Sequence, residues 1–170
     1  MRILMILIPD EAPAGPGHET VLRLERLAGP YYVFRDRGME VVLASPEGGS
    51  PWIRPSPSEG EPLSGVLGRF RADRPARDAL NDTLSLDQIA PEDFAGAFCI
   101  GAPGAIWRDA HANRAAEVIA AFLTAGRPVA AVPAGIDLAP MGSDEGLVII
   151  ADSDGAVLKA AHALLAALDP

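Results

Sequence analysis

The feature that most constrains the fold is the alternation of short apolar runs with longer segments of helical periodicity. Each apolar run is bounded by turn residues, as is typical of buried strands. The predicted strands are 2–8, 41–44, 96–100, 129–132 and 147–151, and the predicted helices are 18–37, 76–82, 113–124 and 155–168. Strands separated by helices of this length favour right-handed crossovers. We therefore predict one α/β domain over residues 1–170, a three-layer sandwich whose mostly parallel sheet carries helices on both faces.

Two segments depart from this regular pattern. Pro30 lies inside the first predicted helix and follows Gly29. A proline inside a helix removes one hydrogen bond and clashes with the preceding turn, so we expect a break or kink near residues 28–29. Residues 48–68 are rich in Pro, Gly and Ser, which predicts an irregular excursion.

Charge and cysteine content exclude several classes of protein. The chain has a net charge of −9, which disfavours nucleic acid as a partner. The arginines of residues 69–77 are interrupted by Asp73, so we interpret this segment as a solvated surface. No apolar run is long enough to span a bilayer, which predicts no membrane association. Residues 1–8 lack the features of a signal peptide, and a single cysteine fits a reducing compartment, so we predict a cytoplasmic protein.

The position where an α/β fold usually carries its chemistry has no reactive side chain here. In open α/β sheets, ligands and catalytic groups gather at the carboxyl ends of the strands, and some hydrolases place a nucleophile on the turn that follows. Predicted strand 129–132 is followed by Pro133, Ala134 and Gly135. Proline has a fixed φ angle and no N–H group. It supplies neither a nucleophile nor the strained backbone of such a turn.

Several segments together resemble the ThiJ/PfpI superfamily. They are 20–34 (TVLRLERLAGPYYVF), 41–49 (VVLASPEGG), 69–73 (RFRAD) and 91–107 (PEDFAGAFCIGAPGAIW). The resemblance implies a flavodoxin-like fold related to class I glutamine amidotransferases. The most similar members are intracellular protease/amidase-type proteins and chaperone-like glyoxalases. Compared with them, this chain is shortened between about residues 136 and 146.

The resemblance also shows what this chain lacks. Active relatives have Ala-Val-Cys-His-Gly where this chain has residues 131–135, so Pro133 stands at the cysteine position and Ala134 at the histidine position. The glutamate that relatives place on the first helix corresponds to Arg26. Pro103 replaces a second pocket histidine in the loop formed by residues 100–104. Four changes at one thiolate site favour a non-catalytic protein, a pseudoenzyme that acts as a small-molecule-binding or protein-interaction module. The alternative is a hydrolase, amidase or glyoxalase-like lyase that uses non-standard residues.

Neither the remaining thiol nor the histidines predict a second catalytic centre. Cys99 lies inside an apolar strand, where a free cysteine is expected to be buried and unreactive. His18, His111 and His162 lie in three separate segments without the spacing of metal ligands. We therefore predict no metal site and no cofactor.

The candidate pocket is degenerate, and its residues allow two interpretations. Asp10 and Glu11 follow the first strand and could pair with Arg26, and we favour this internal ion pair. The alternative is a pocket in which Arg26 binds a small polar ligand such as a carboxylate or phosphate. The pocket residues are Asp10, Glu11, Arg26, Gly101, Ala102, Pro103, Pro133 and Ala134.

Aromatic residues on the first helix raise the question of a homodimer. Tyr31, Tyr32 and Phe34 have the spacing of a core-facing stripe. Relatives often dimerise, so part of this face is also a candidate surface for a second copy of the chain.

Overall fold

The computed structural model describes residues 1–8, 22–51, 53, 65–101, 110–132, 148–150 and 157–168, with backbone only at 110–113 and 148–150. These residues form strands and helices in the alternating order that the sequence predicts. The strands are β1 (Arg2–Ile8), β2 (Glu40–Ser45), β3 (Leu84–Ser85), β4 (Gly96–Gly101), β5 (Val129–Val132) and β6 (Val148–Ile150). The α-helices are α1 (Leu24–Arg35), α2 (Gly65–Ala72), α3 (Arg74–Asn81), α4 (Ala110–Thr124) and α5 (Val157–Leu168).

The six strands form one sheet in the order β3-β2-β1-β4-β5-β6. Each neighbouring pair in this sheet is parallel. Without the two-residue edge strand β3, the order is the 2-1-3-4-5 order of flavodoxin-like folds. The predicted fold class is therefore confirmed.

Each face of the sheet has its own hydrophobic core, because alternate residues of a strand point to opposite faces. Ile3, Met5 and Leu7 of β1 face one core, which also contains buried residues of α1, α2, α3 and α5. Leu4 and Ile6 face the other core, which also contains buried residues of α4 and Leu86 of a short 3-10 helix (Leu86–Gln88). The result is the predicted three-layer sandwich with helices on both faces.

Helix α1 is not broken at Pro30, so the break expected near residues 28–29 is wrong, while the kink given as the other possibility stays a prediction. The helix runs without interruption from Leu24 to Arg35. Leu27 to Tyr32 are all buried. Tertiary packing of these turns offsets the single hydrogen bond that proline removes. Residues 22 and 23 precede the helix, which therefore begins later than the predicted residue 18.

The predicted irregular excursion is partly wrong. Helix α2 begins at Gly65, inside the segment 48–68, and buries Phe70 against Tyr31 and Tyr32 of α1. The turn at Gly48 has a φ of +80°, and a Cβ atom there would lie 2.9 Å from the backbone nitrogen of Ser85. Glycine is therefore required for the chain to pass so close to β3.

Candidate functional site

The carboxyl edge of the sheet between β1 and β4 is the candidate site. In the parallel register, Ile8 at the end of β1 lies beside Gly101 at the end of β4. Ile100 in turn lies beside Val132, the last residue of β5. Helix α1, which follows β1, and helix α4, which follows β4, cover opposite faces of the sheet. Connections that diverge in this way leave a crevice at the strand ends, where ligands bind in doubly wound folds.

Two of the eight predicted pocket residues lie within the described part of the chain. Gly101 ends β4 and is buried. Arg26 lies in the first turn of α1, is half-buried, and its backbone N–H donates to the carbonyl oxygen of Arg23 at 3.1 Å. The other six lie outside the described residues: Asp10, Glu11, Ala102, Pro103, Pro133 and Ala134. The ion pair and the ligand pocket therefore both remain predictions.

The only cysteine of the chain is buried next to this edge, as predicted. Cys99 is 0% exposed and faces the core beneath α4. Burial raises the pKa of its thiol from 9.0 to about 12. Because a thiolate is the nucleophilic form, a cysteine in this environment is protonated and inaccessible at neutral pH. Cys99 is a packing residue.

Sequence reasoning missed a buried hydroxyl pair at the same edge. Ser45 ends β2, and its Oγ lies 2.7 Å from Oγ1 of Thr83. Thr83 donates to the carbonyl oxygen of Gly49 at 2.7 Å, so Ser45 is the donor of the shared bond. The feature of the sequence that could have indicated this pair is Ser45, a polar residue at the end of an apolar strand. The pair ties β2 to the residue before β3, and all its hydrogens are used in structural bonds.

Arg69 and Arg74 form ion pairs on the surface, with Asp36 and Asp78, as predicted for a solvated segment. Arg69 donates two hydrogen bonds to the carboxylate of Asp36, at 2.7 and 2.6 Å. Its guanidinium carbon also lies 3.7 Å from the centre of the Tyr32 ring. The pairing with Asp36 raises the pKa of Arg69 and lowers the pKa of Asp36. This arrangement stacks and neutralises the arginine and leaves it poorly suited to bind phosphate.

Within the described residues, no group of three or more His, Cys, Asp and Glu side chains could hold a metal ion. His162 is exposed on α5, while His18 and the side chain of His111 lie outside the described residues.

Tyr31, Tyr32 and Phe34 are buried, which confirms their assignment to the core. Among the helices described, none has the length and apolar character needed to cross a membrane.

Solved structures with a similar fold match almost the whole length of this chain. A rapid encystment protein of 24 kDa from Francisella tularensis matches with a TM-score of 0.75 at 14% identity, covering 98% of each chain. Glyoxalase III from Candida albicans matches with a TM-score of 0.70 at 17% identity, covering 98% of this chain and 96% of that one. A ThiJ/PfpI domain protein from Brachyspira murdochii matches with a TM-score of 0.62 at 14% identity, covering 99% and 96%.

The fold is that of the ThiJ/PfpI proteins. Neither a family model nor a curated protein matches the sequence. The ThiJ/PfpI fold is therefore established through structure, at a sequence identity too low to transfer an activity. The predictions of a homodimer, a small polar ligand and a cytoplasmic location stay predictions.

Proposed function

We propose that this protein is a non-catalytic binding module with the ThiJ/PfpI fold. The observation that carries the proposal is the position of Cys99. A nucleophilic cysteine needs a lowered pKa and an exposed sulfur, whereas Cys99 is fully buried with a pKa raised to about 12. Since the chain has no other cysteine, thiolate catalysis has no residue to perform it.

The sequence at the strand ends supports the same proposal. Pro133 follows Val132 directly, where the resemblance to active relatives calls for cysteine, and Ala134 stands where it calls for histidine. Arg26 replaces the acidic partner of that cysteine. A positive charge in place of a glutamate suits binding of an anion better than proton transfer. The proposed ligand is therefore a small carboxylate or phosphate at the carboxyl edge of β1 and β4.

Activity measurements test the non-catalytic part of the proposal. The purified protein is incubated with methylglyoxal, with glutamine and with a peptide, and turnover is compared with that of Cys99→Ala. We expect no turnover above buffer from either protein. Turnover that persists in Cys99→Ala would establish catalysis by non-standard residues. Turnover that disappears in Cys99→Ala would show that the thiol is reactive. Either result would overturn the proposal.

Binding measurements test the ligand. Thermal unfolding is followed while phosphate and small carboxylates are titrated, because a ligand that binds only the folded state raises Tm. We expect one of these anions to raise the Tm of the wild type and not that of Arg26→Ala. Arg35→Ala is the matched control, since Arg35 is an exposed arginine in the last turn of the same helix. Equal shifts in both variants would remove Arg26 from the site.

A further inference from the structure

A groove of about 480 Å³ lies on the outer side of the helix layer, away from the strands. Helices α1, α2 and α5 line it, and none of its lining residues belongs to a strand. Its aliphatic walls include Val33, Val66 and Leu158. Val66 is 38% exposed and Leu158 is 48% exposed, and they are two of the four large hydrophobic residues exposed in the described part of the chain. Apolar side chains clustered in a concave surface indicate a binding site more strongly than scattered ones do.

The close approach of α1 and α5 shapes one side of the groove. Gly29 lies on α1 facing Leu158, and a Cβ atom at Gly29 would be 2.8 Å from Cδ2 of Leu158. The missing side chain lets Leu158 lie against the α1 backbone. Leu158 therefore forms part of the wall while half of it stays open to solvent.

Two arginines and one aspartate line the groove. Asp36 is its one acidic lining residue in the described structure, and the two hydrogen bonds from Arg69 neutralise it. Arg37 and His162 also line the groove. Because Arg69 and Asp36 are paired, Arg37 leaves the lining with one net positive charge beside exposed aliphatic side chains, in a protein whose net charge is −9.

We propose that this groove binds a small amphipathic carboxylate, with its hydrocarbon part against Val66 and Leu158 and its carboxylate near Arg37 and His162. The volume lies within the range of small-molecule sites, about 300–1,000 Å³. A guanidinium is well matched to a carboxylate through paired N–H donors. The site shares no residue with the proposed pocket at the carboxyl edge.

Decanoate, below the concentration at which it aggregates, is the probe for this site. Titration calorimetry measures its affinity for the wild type and four variants. We expect saturable binding that weakens by about tenfold or more in Leu158→Ser, because the apolar contact is lost. Arg37→Glu should weaken it by a similar factor, since it reverses the charge. Leu84→Ser and Arg74→Glu are matched controls, an exposed leucine and an exposed arginine away from the groove, and should bind as the wild type does.

Four results would overturn the proposal. The first is the absence of saturable decanoate binding, and the second is unchanged affinity in both groove variants. The third is equal affinity for decanol, which has no carboxylate. The fourth is that the protein does not bind decanoate but forms a dimer that Leu158→Ser abolishes. Arg26→Ala separates this site from the proposed function. Loss of anion binding at the carboxyl edge in that variant should leave decanoate binding intact.

Discussion

Cys99 lies beside Ala131 in the parallel register of β4 and β5, with its side chain in the core under α4. Ile100 and Val132, one residue further along each strand, face the opposite core. The thiol is thus separated from solvent by a helix layer on its own side of the sheet. The sulfur therefore lies near the carboxyl edge in the register but is enclosed in the core beneath α4.

This burial predicts that Cys99 resists alkylation in the native protein. Iodoacetamide reacts with the thiolate, and a pKa of about 12 leaves almost none at neutral pH. We expect no modification of the folded protein by mass spectrometry and complete modification in denaturant. Modification of the native protein at the rate of a free thiol would contradict the burial.

Stability should fall with rising pH in the alkaline range. The pKa of Cys99 is raised in the folded protein, so its contribution is fully present below about pH 9 and is lost as the pH rises toward about 12. Desolvation also raises the pKa of Tyr31, and desolvation together with the hydrogen bond to Asp73 raises that of Tyr32 to about 12. The thiol alone should cost up to about 1.4 kcal/mol per pH unit within its window.

Urea unfolding at a series of pH values measures this loss. Cys99→Ala is the control, because it removes the thiol and leaves both tyrosines. We expect the variant to lose stability less steeply than the wild type. Identical slopes for the two proteins would show that the thiol does not titrate differently in the folded state.

Much of the fold follows from local sequence pattern, and the exceptions have physical causes. The strands 2–8 and 129–132 were predicted at the bounds of β1 and β5, because buried parallel strands appear as continuous apolar runs. The break expected near Pro30 is absent, since the packing that keeps α1 intact comes from residues distant in sequence. Strand β3 has only two residues, too few to show a period.

The candidate sites depend even more on distant contacts. Leu158 and Gly29 are far apart in the sequence, and only the packing of α5 on α1 places them in one groove. The Ser45–Thr83 bond likewise joins residues that no motif connects. By contrast, the burial of Cys99 was predictable because its immediate neighbours are apolar.

Replacing glycine with alanine should have opposite effects on stability at Gly96 and at Gly29. At Gly96, a Cβ atom would lie 2.8 Å from the carbonyl oxygen of Pro128, which is backbone and cannot move cheaply. Gly96→Ala should cost about 1–3 kcal/mol. At Gly29 the close atom is the end of the half-exposed Leu158 side chain, which can rotate away. Alanine is also favoured in a helix by about 1 kcal/mol, so Gly29→Ala should be neutral or stabilising. Urea unfolding measures the free energy of unfolding of both variants. Equal losses of stability would contradict the distinction between a backbone contact at Gly96 and a movable side-chain contact at Gly29.

Tyr32 and Asp73 connect α1 to α3, and their bond should be measurable. The hydroxyl of Tyr32 donates to Oδ2 of Asp73 at 2.9 Å, while Oδ1 of Asp73 accepts from the N–H of Ala76 and caps α3. Tyr32→Phe should cost about 1 kcal/mol. Asp73→Ala should cost about 2 kcal/mol, since it removes the cap as well. Asp73→Asn is the control: it keeps the Oδ1 acceptor for the N–H of Ala76 and replaces Oδ2 by an NH2 group, which can donate to the Tyr32 hydroxyl, so both hydrogen bonds can still form, the second with its direction reversed. A loss in Asp73→Asn as large as in Asp73→Ala would show that side-chain charge, and not hydrogen bonding, holds the junction.

The buried hydroxyls of Ser45 and Thr83 should behave as a coupled pair. Thr83→Val keeps the shape of the side chain and removes the acceptor for Ser45 and the donor to Gly49. A buried polar group left without a partner costs about 1–3 kcal/mol, so Thr83→Val alone should destabilise the protein by that amount. Ser45→Ala alone should cost less, because Thr83 keeps its bond to Gly49.

In the double variant no hydroxyl of the pair remains to be desolvated, so the total loss of stability should be smaller than the sum of the two single losses. A double-mutant cycle in urea measures this coupling, and strict additivity would mean that the two hydroxyls do not share a hydrogen bond.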